Sequence, residues 1–439
     1  MARAKLSGFP EFLPAERIVE QQVLAALQDT FELHGFASIE TRAFETIADL
    51  TRKGEIDKEV YAVKRIHAAA DAPAEFGLHF DLTVPFARYV IENAGKLDFP
   101  FRRYQIQKAW RGERPQTGRF REFLQADIDV VGQGVLAPHH DVELPLVMGE
   151  VLEKLHQDFK VPKATMRVNN RKLSEGFYRG LEVDEPMAVL QRVDKLDKIG
   201  ADAVVELLIA EVGMSQAAAH ACLQLASITG SDASFVDEVH KLGVSHPLLE
   251  EGLDELAAVV QTASGLRPGS LVVDLAIARG LDYYTGSVYE TSMQGFESLG
   301  SIASGGRYDS LASDGKNTYP GVGISIGVSR ILVPLLGAGV LRASRSVPTA
   351  VLVAVDSEAE RAGAITLAAK LRSRGIPTEV SPTADKFGKQ IRHADRRGIP
   401  YVLFSGGEIK DIRSGEQFKI DLDSWCPPPA DLHPQIIHS

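Results

Sequence analysis

Two cysteines in 439 residues, Cys222 and Cys426, cannot form a disulfide framework or a cysteine-based zinc site. Free thiols fit a reducing compartment. No stretch approaches the roughly 18 uninterrupted apolar residues of a membrane span. The opening MARAKLSGFPEFLP carries basic residues with no apolar run behind them, so no secretory signal is expected. The chain therefore reads as soluble and cytoplasmic. Positive charge is in short supply as well: 48 Lys and Arg face 59 Asp and Glu, a net −11. An evenly spread acidic chain is a poor nucleic-acid binder, because such affinity comes largely from neutralising phosphates. The familiar cofactor signatures are missing too. There is no GxxxxGK[ST], GVGISIG (321–327) lacks dinucleotide-turn spacing, and neither HExxH nor paired CxxC occurs. No resident transition metal is expected. The pair His139-His140 is better read as a loop ending in an Asp141 N-cap than as metal ligands.

What is present is enough apolar residue, 44% of the chain, to build more than one core. Val19, Val23, Leu27 and Phe31 recur every four residues, which predicts a helix over 15–34 capped at Gly35. Strand-like runs follow at 36–45, 101–111, 119–131, 271–278, 286–291 and 321–327, with a helix from Asp141 to about His156. This is an α/β chain of the α+β kind, with a mixed, mostly antiparallel sheet. Residues 182–265 lack strand-like runs and read as short helices inserted in that core. After a small linker (337–345), the strand AVLVAV (350–355) opens a compact α/β domain over 347–425. The remaining PPPADLHPQIIHS is expected to be flexible.

The charge is not evenly spread. Residues 182–265 hold 15 acidic and 4 basic side chains, which accounts for the whole −11. Residues 101–123 hold seven basic and two acidic side chains, an electrostatic footprint for phosphates. Six of the seven are Arg (Arg102, Arg103, Arg111, Arg114, Arg119 and Arg121), interleaved with Tyr104, Trp110, Phe120 and Phe123. Four dense constellations stand out: LHFDLTVPFAR (78–88), the Arg-rich 102–132 segment, ARGLDYYTGSVYE (278–290), and SGGRYD (304–309) followed by GVGISIGVSR (321–330). Each sets Arg, carboxylates and Tyr near Gly, where backbone can approach a ligand closely.

These segments resemble the signatures of the histidyl-tRNA synthetases, class II aminoacyl-tRNA synthetases. The likeness extends to GFPEFLP, VNNRKL, QRVDKLDKIG, KFGKQIRHADRRG and IRSGEQ. It implies a class II catalytic core over 1–181 and 266–340, a helical insert over 182–265 and a C-terminal anticodon-binding domain over 347–425. It implies activation of histidine with ATP, carried as its Mg²⁺ complex, followed by transfer to tRNA(His) in a homodimer with no permanently bound cofactor.

By motif match, Arg111 would bridge the histidine carboxylate and the α-phosphate, with Arg279 as a second catalytic cation on that phosphate. Glu113 would meet the adenosine end of ATP, and Arg119 and Arg330 the γ-phosphate. Asp81 and Thr83 would hold the α-amino group, Gln125 would lie beside the amino acid, Asp129 and Tyr284 would bond the imidazole, and Tyr283 would shape the pocket. Gln116 would reach the tRNA acceptor end, with Lys386, Lys389 and Arg392 contacting tRNA from the C-terminal domain. Hydrogen bonding to both ring nitrogens would reject analogues lacking them by roughly 10⁴-fold, without an editing domain. The chain departs from the family pattern at Arg42, where motif 1 usually has proline, at His79, commonly Arg, and at Ser329, often Glu. The family's non-catalytic relative, a regulatory subunit of ATP phosphoribosyltransferase, is the alternative reading. It tends to lose the activation residues and the C-terminal domain.

Overall fold

The computed structural model describes residues 6–51, 59–69, 71–277 and 283–438. Arg279, Gly280 and their neighbours through Asp282 lie outside the described residues, so the role expected for Arg279 has no geometry here. The chain divides into two compact units, 1–10 with 25–334, and 11–24 with 335–439.

The first unit is built on a nine-stranded sheet. From one edge the strands run Ala37–Ser38, Phe101–Trp110, Glu122–Val131, Thr318–Gly327, Ala303–Ser313, Ser287–Met293, Ala164–Asn170, Val272–Asp274 and Thr229–Gly230. Only the pairings Ala37–Ser38 with Phe101–Trp110 and Ala164–Asn170 with Val272–Asp274 are parallel, so the sheet is mostly antiparallel, as the sequence suggests.

The two-residue period of a strand explains its two faces. In Glu122–Val131, Ala126, Ile128 and Val130 are wholly buried, and the helix His140–Phe159 packs on that side with Leu144, Val147 and Met148. Gln125, Asp127 and Asp129 alternate onto the other face. The ladder sets Arg103, Gln105 and Gln107 opposite them on one side and Gly323, Ser325 and Gly327 on the other. That polar face is the floor of the site described below.

The 182–265 insert is helical as expected, from Pro186–Val193 to Pro247–Leu266, with a left-handed Gly213 ending Ala201–Val212 and Ser215 capping Gln216–Ala226. Contrary to expectation it also supplies a strand, Thr229–Gly230, at the sheet edge. Two residues are too few to show an alternation in sequence. The insert returns to the core where Pro247–Leu266 crosses Arg171–Gly180. A Cβ on Gly176 would lie 2.2 Å from Leu249 N, and one on Gly252 2.2 Å from Leu173 N. Only glycine permits that approach.

In the second unit, parallel strands Thr378–Val380, Val351–Val353 and Tyr401–Leu403 continue antiparallel into Glu408–Asp411 and Gln417–Lys419. Val351, Val353 and Val355 pack with Ala364, Ala368 and Leu371, while Leu352 and Ala354 pack with Ala394 and Ile399. Both faces are covered, which is why AVLVAV is apolar without alternation.

Two boundaries differ from the sequence reading. Residues 11–24 cluster with the second unit rather than with the core, and Gln22 Nε2 donates to Pro434 O at 2.6 Å. The terminal segment is structured rather than flexible. Pro429–Leu432 is helical, Ile436–His438 pairs antiparallel with Leu341–Ala343, and Asp431 accepts from Arg413 at 2.7 and 2.8 Å and from Tyr401 at 2.8 Å. Its prolines suit a helix start and an extended strand, and the partners that fix it lie far away in sequence.

Candidate active site

The antiparallel pair Phe101–Trp110 and Glu122–Val131 continues into a loop that carries Arg111, Glu113, Gln116 and Arg119. Arg111 Nε donates to Phe80 O at 3.0 Å, and its guanidinium lies 5.1 Å over the Phe123 ring. Arg119 stands 3.8 Å from Glu113. Arg330, at the start of Val328–Gly337, donates from Nε to Gly118 O at 2.9 Å and from Nη1 to Ser301 O at 2.5 Å. Burial, with Arg119 and Arg111 nearby, lowers its affinity for its proton. Three guanidiniums held this close repel one another, an arrangement suited to an anion between them. With Glu113, Gln125 and Ser325 they line a cleft of about 90 Å³. Gln116 is exposed at the tip of the loop, bridged to Arg119.

Beside the cleft the polar floor concentrates buried charge. Arg103 is fully buried, forms an ion pair with Asp129 Oδ2 at 2.7 Å and stacks 4.2 Å over Phe86. Asp129 Oδ1 accepts from the Tyr308 hydroxyl at 2.7 Å. Gly323 makes room for it, since a Cβ there would lie 2.0 Å from that oxygen. Asp81 Oδ1 caps the Val84 N–H at 3.0 Å at the start of the helix Thr83–Asn93, while its Oδ2 is buried with no hydrogen-bond partner among the described residues. Tyr283 and Tyr284 meet edge to face at 4.9 Å, and Tyr283 meets Tyr308 likewise at 6.1 Å. The Tyr283 hydroxyl interacts with Thr83. Burial raises all three carboxyls, Asp81 in direction and Asp127 and Asp129 to about 7 and about 6, with Arg103 opposing each rise. Arg103, aided at Asp81 by Arg111, does not compensate the desolvation of three carboxylates.

Asp81, Thr83, Gln125, Asp129, Tyr283 and Tyr284 thus share one environment next to Arg111, Glu113, Arg119 and Arg330. Lys386, Lys389 and Arg392 belong to the other unit, all exposed, at the cap and on the helix Phe387–Arg396, with Lys389 paired to Asp385 at 3.3 Å. Sequence reading passed over Arg103, Asp127, Tyr308 and Ser325 as site residues. The alternation of Gln125, Asp127 and Asp129 was the available signal.

The family departures have local partners. His79, buried, contacts the carbonyls of Arg42 at 3.2 Å and Lys108 at 2.7 Å, and packs on Trp110. Arg42 pairs with buried Glu45, which also holds Arg88. The Ser329 hydroxyl accepts the Leu124 N–H at 2.8 Å. One local expectation fails. The helix starts at His140 with His139 in the cap position, and Asp141 lies inside the first turn, buried 3.3 Å from Arg307. A buried ion pair drew Asp141 inward and left the cap without a side-chain acceptor. His139, His140 and Glu143 cluster, yet Glu143 is already held by Arg102 at 2.9 and 2.7 Å and by His140 at 2.9 Å.

The family model for histidyl-tRNA synthetase matches residues 8–331, across both halves of this site. The chain belongs to the histidyl-tRNA synthetase family. A second model, for an anticodon-binding domain, matches residues 349–425. Over 451 residues the chain is 62% identical to the histidine–tRNA ligase of Cutibacterium acnes, covering 100% of this chain and 99% of that one. The crystal structure of the histidyl-tRNA synthetase from Nostoc sp. PCC 7120 superposes with a TM-score of 0.84 at 33% identity, covering 96% of this chain and 98% of that one. A Bacillus halodurans structure described as an ATP phosphoribosyltransferase regulatory subunit/histidyl-tRNA synthetase gives 0.74 at 17% identity, covering 89% and 97%, and shares the fold. Among the described residues no helix is long and apolar enough to cross a membrane.

Proposed function

We propose that this family member is a histidine–tRNA ligase, acting on histidine, ATP as its Mg²⁺ complex, and tRNA(His). The observation that carries the proposal is the junction of an arginine-lined cleft with a buried carboxylate–tyrosine floor. The first suits phosphates and the second suits a small cationic amino acid. In the activation step an oxygen of the histidine carboxylate attacks the α-phosphorus and pyrophosphate leaves. In the second step a terminal hydroxyl of tRNA attacks the acyl carbon and AMP leaves. Both reactants of the first step are anionic, so fixed cations must cancel their repulsion and stabilise charge developing on the phosphorus oxygens. Arg111, braced by Phe80 O and Phe123, takes that role, with Arg279 proposed beside it from sequence alone.

Arg119 and Arg330 are suited to the terminal phosphates and Glu113 to the adenosine end. Asp81 and Thr83 would receive the α-ammonium, with Gln125 alongside. Asp129, held by Arg103 and Tyr308, and Tyr284 would bond the imidazole, and Tyr283 would close the pocket. Gln116, exposed at the loop tip, would meet the acceptor end, and the exposed Lys386, Lys389 and Arg392 would meet tRNA phosphates. We propose a homodimer on family grounds. The regulatory alternative is disfavoured by the presence of Arg111, Arg119 and Arg330 together with a full 349–425 domain.

ATP–pyrophosphate exchange with each of the twenty amino acids tests this. Exchange with histidine alone is expected, and no exchange with any amino acid contradicts it.

A further inference from the structure

One buried carboxylate in the floor has no part in the scheme above. Asp127 is 2% exposed and stands between Gln125 and Asp129 on the same face. The ladder pairs it with Ser325. The Ser325 hydroxyl donates to Asp127 Oδ1, and Gln125 Nε2 donates to that same hydroxyl at 2.7 Å. Gln125 is 8% exposed, and its Oε1 is buried with no hydrogen-bond partner among the described residues, at the wall of the cleft.

The proton inventory makes this chain directional. A hydroxyl has one proton, and a carboxylate only accepts. Burial raises Asp127 to about 7, so above that pH it is ionised; the Ser325 proton then goes to it, and the Ser325 oxygen is left to accept. Only the NH₂ end of the Gln125 amide can supply that donor. The amide is therefore turned with its carbonyl oxygen away from Ser325. We propose that Asp127 is a positioning residue for amino-acid recognition, acting through Ser325 to hold the Gln125 carbonyl oxygen toward the substrate as an acceptor for a substrate N–H. The inference rests on the reading that Gln125 lies beside the bound histidine. Without the carboxylate, an amide at 127 could donate or accept, and the Gln125 side chain could present its NH₂ to the substrate ammonium instead.

The test is histidine-dependent ATP–pyrophosphate exchange on the full chain at about pH 8.5, where Asp127 is ionised, with thermal unfolding run alongside. Asp127→Asn should raise the KM for histidine about tenfold, the worth of one well-placed hydrogen bond, with kcat and the KM for ATP changed less than about twofold. The double variant D127N/Q125E should bring the histidine KM back to within about threefold of the parent, because a carboxylate at 125 offers an acceptor in either orientation. Ser325→Ala leaves every carboxylate in place and should also raise the histidine KM, so it carries the test if Asp127→Asn does not fold. A folded Asp127→Asn with an unchanged histidine KM overturns the inference, as does a double variant no better than the single. An unchanged KM in Ser325→Ala overturns it as well. Gln125→Ala separates the two levels. If it leaves the histidine KM unchanged, the placement of Gln125 is wrong. If it raises the KM while Asp127→Asn does not, the placement stands and only the relay fails.

Discussion

The sheet floor and the helical insert both carry surplus carboxylates, and they do opposite things with them. In 182–265 the surplus is −11, and Asp202, Glu206, Glu211, Asp237 and Glu238 are exposed. Water solvates those charges, so they constrain the fold weakly and set the field around the insert. In the floor, three carboxylates are each at most 3% exposed and share one buried guanidinium. There the protein itself replaces water, through Arg103, Tyr308 and Ser325. Outside the insert acidic and basic residues cancel, so the net charge reports only the first group, which is why it misled about a nucleic-acid partner. The proposed recognition of the amino acid rests on the second.

The contrast can be pressed hardest at the floor's cationic border. Arg111→Ala should lower histidine-dependent exchange by about 10²-fold or more, the scale of losing one preorganised charge contact in the transition state. Near-normal exchange would remove Arg111 from the mechanism. Arg103→Met should cost about 3–5 kcal/mol of stability, because it leaves Asp129 and Asp127 buried without their counter-ion. Urea unfolding measures this, and a loss under about 1 kcal/mol would mean that water already reaches the pair.

The floor also predicts a pH dependence whose sign is fixed. Asp127 and Asp129 are raised from 3.8 to about 7 and about 6 in the folded chain. The folded state then keeps protons that the unfolded chain has released, so stability from this pair is present below about pH 4 and lost as pH rises toward 7. Asp127→Asn should flatten that part of the stability profile relative to the parent. Identical slopes for the two proteins would contradict the burial argument.

Smaller effects are expected at exposed charges. Replacing Lys386, Lys389 and Arg392 together with alanine should weaken aminoacylation several-fold through lost phosphate contacts while sparing exchange. Equal loss in both assays would contradict the division of labour. Smallest of all, Asp202→Asn with Glu206→Gln should change stability by less than about 0.5 kcal/mol and leave exchange unchanged.

Much of this was legible in sequence where one strong local pattern decides. The four-residue repeat gave Pro14–Leu33 to within a residue at each end, and the continuous run AVLVAV marked a strand covered on both faces. The site constellations were found by composition and likeness, and Arg111, Arg119 and Arg330 do converge on one cleft. What escaped depends on partners distant in the chain. Thr229–Gly230 is a strand only because Val272–Asp274 lies beside it. The terminal segment orders because Tyr401, Arg413 and Leu341–Ala343 receive it. Asp141 turned inward for Arg307 instead of capping its helix. Arg103 read as one of seven basic residues on a solvated, phosphate-binding stretch, whereas the fold buries it completely as the counter-ion of Asp129.

The central claim is that the buried floor, rather than the charged surface, selects the amino acid. Histidine titrated in the exchange assay against Asp129→Asn tests it most directly. The account predicts at least a tenfold fall in kcat/KM for histidine with the KM for ATP nearly unchanged, since a partner of the imidazole is weakened while the phosphate cleft is untouched. An Asp129→Asn protein that folds and keeps the parent's kcat/KM for histidine would contradict it.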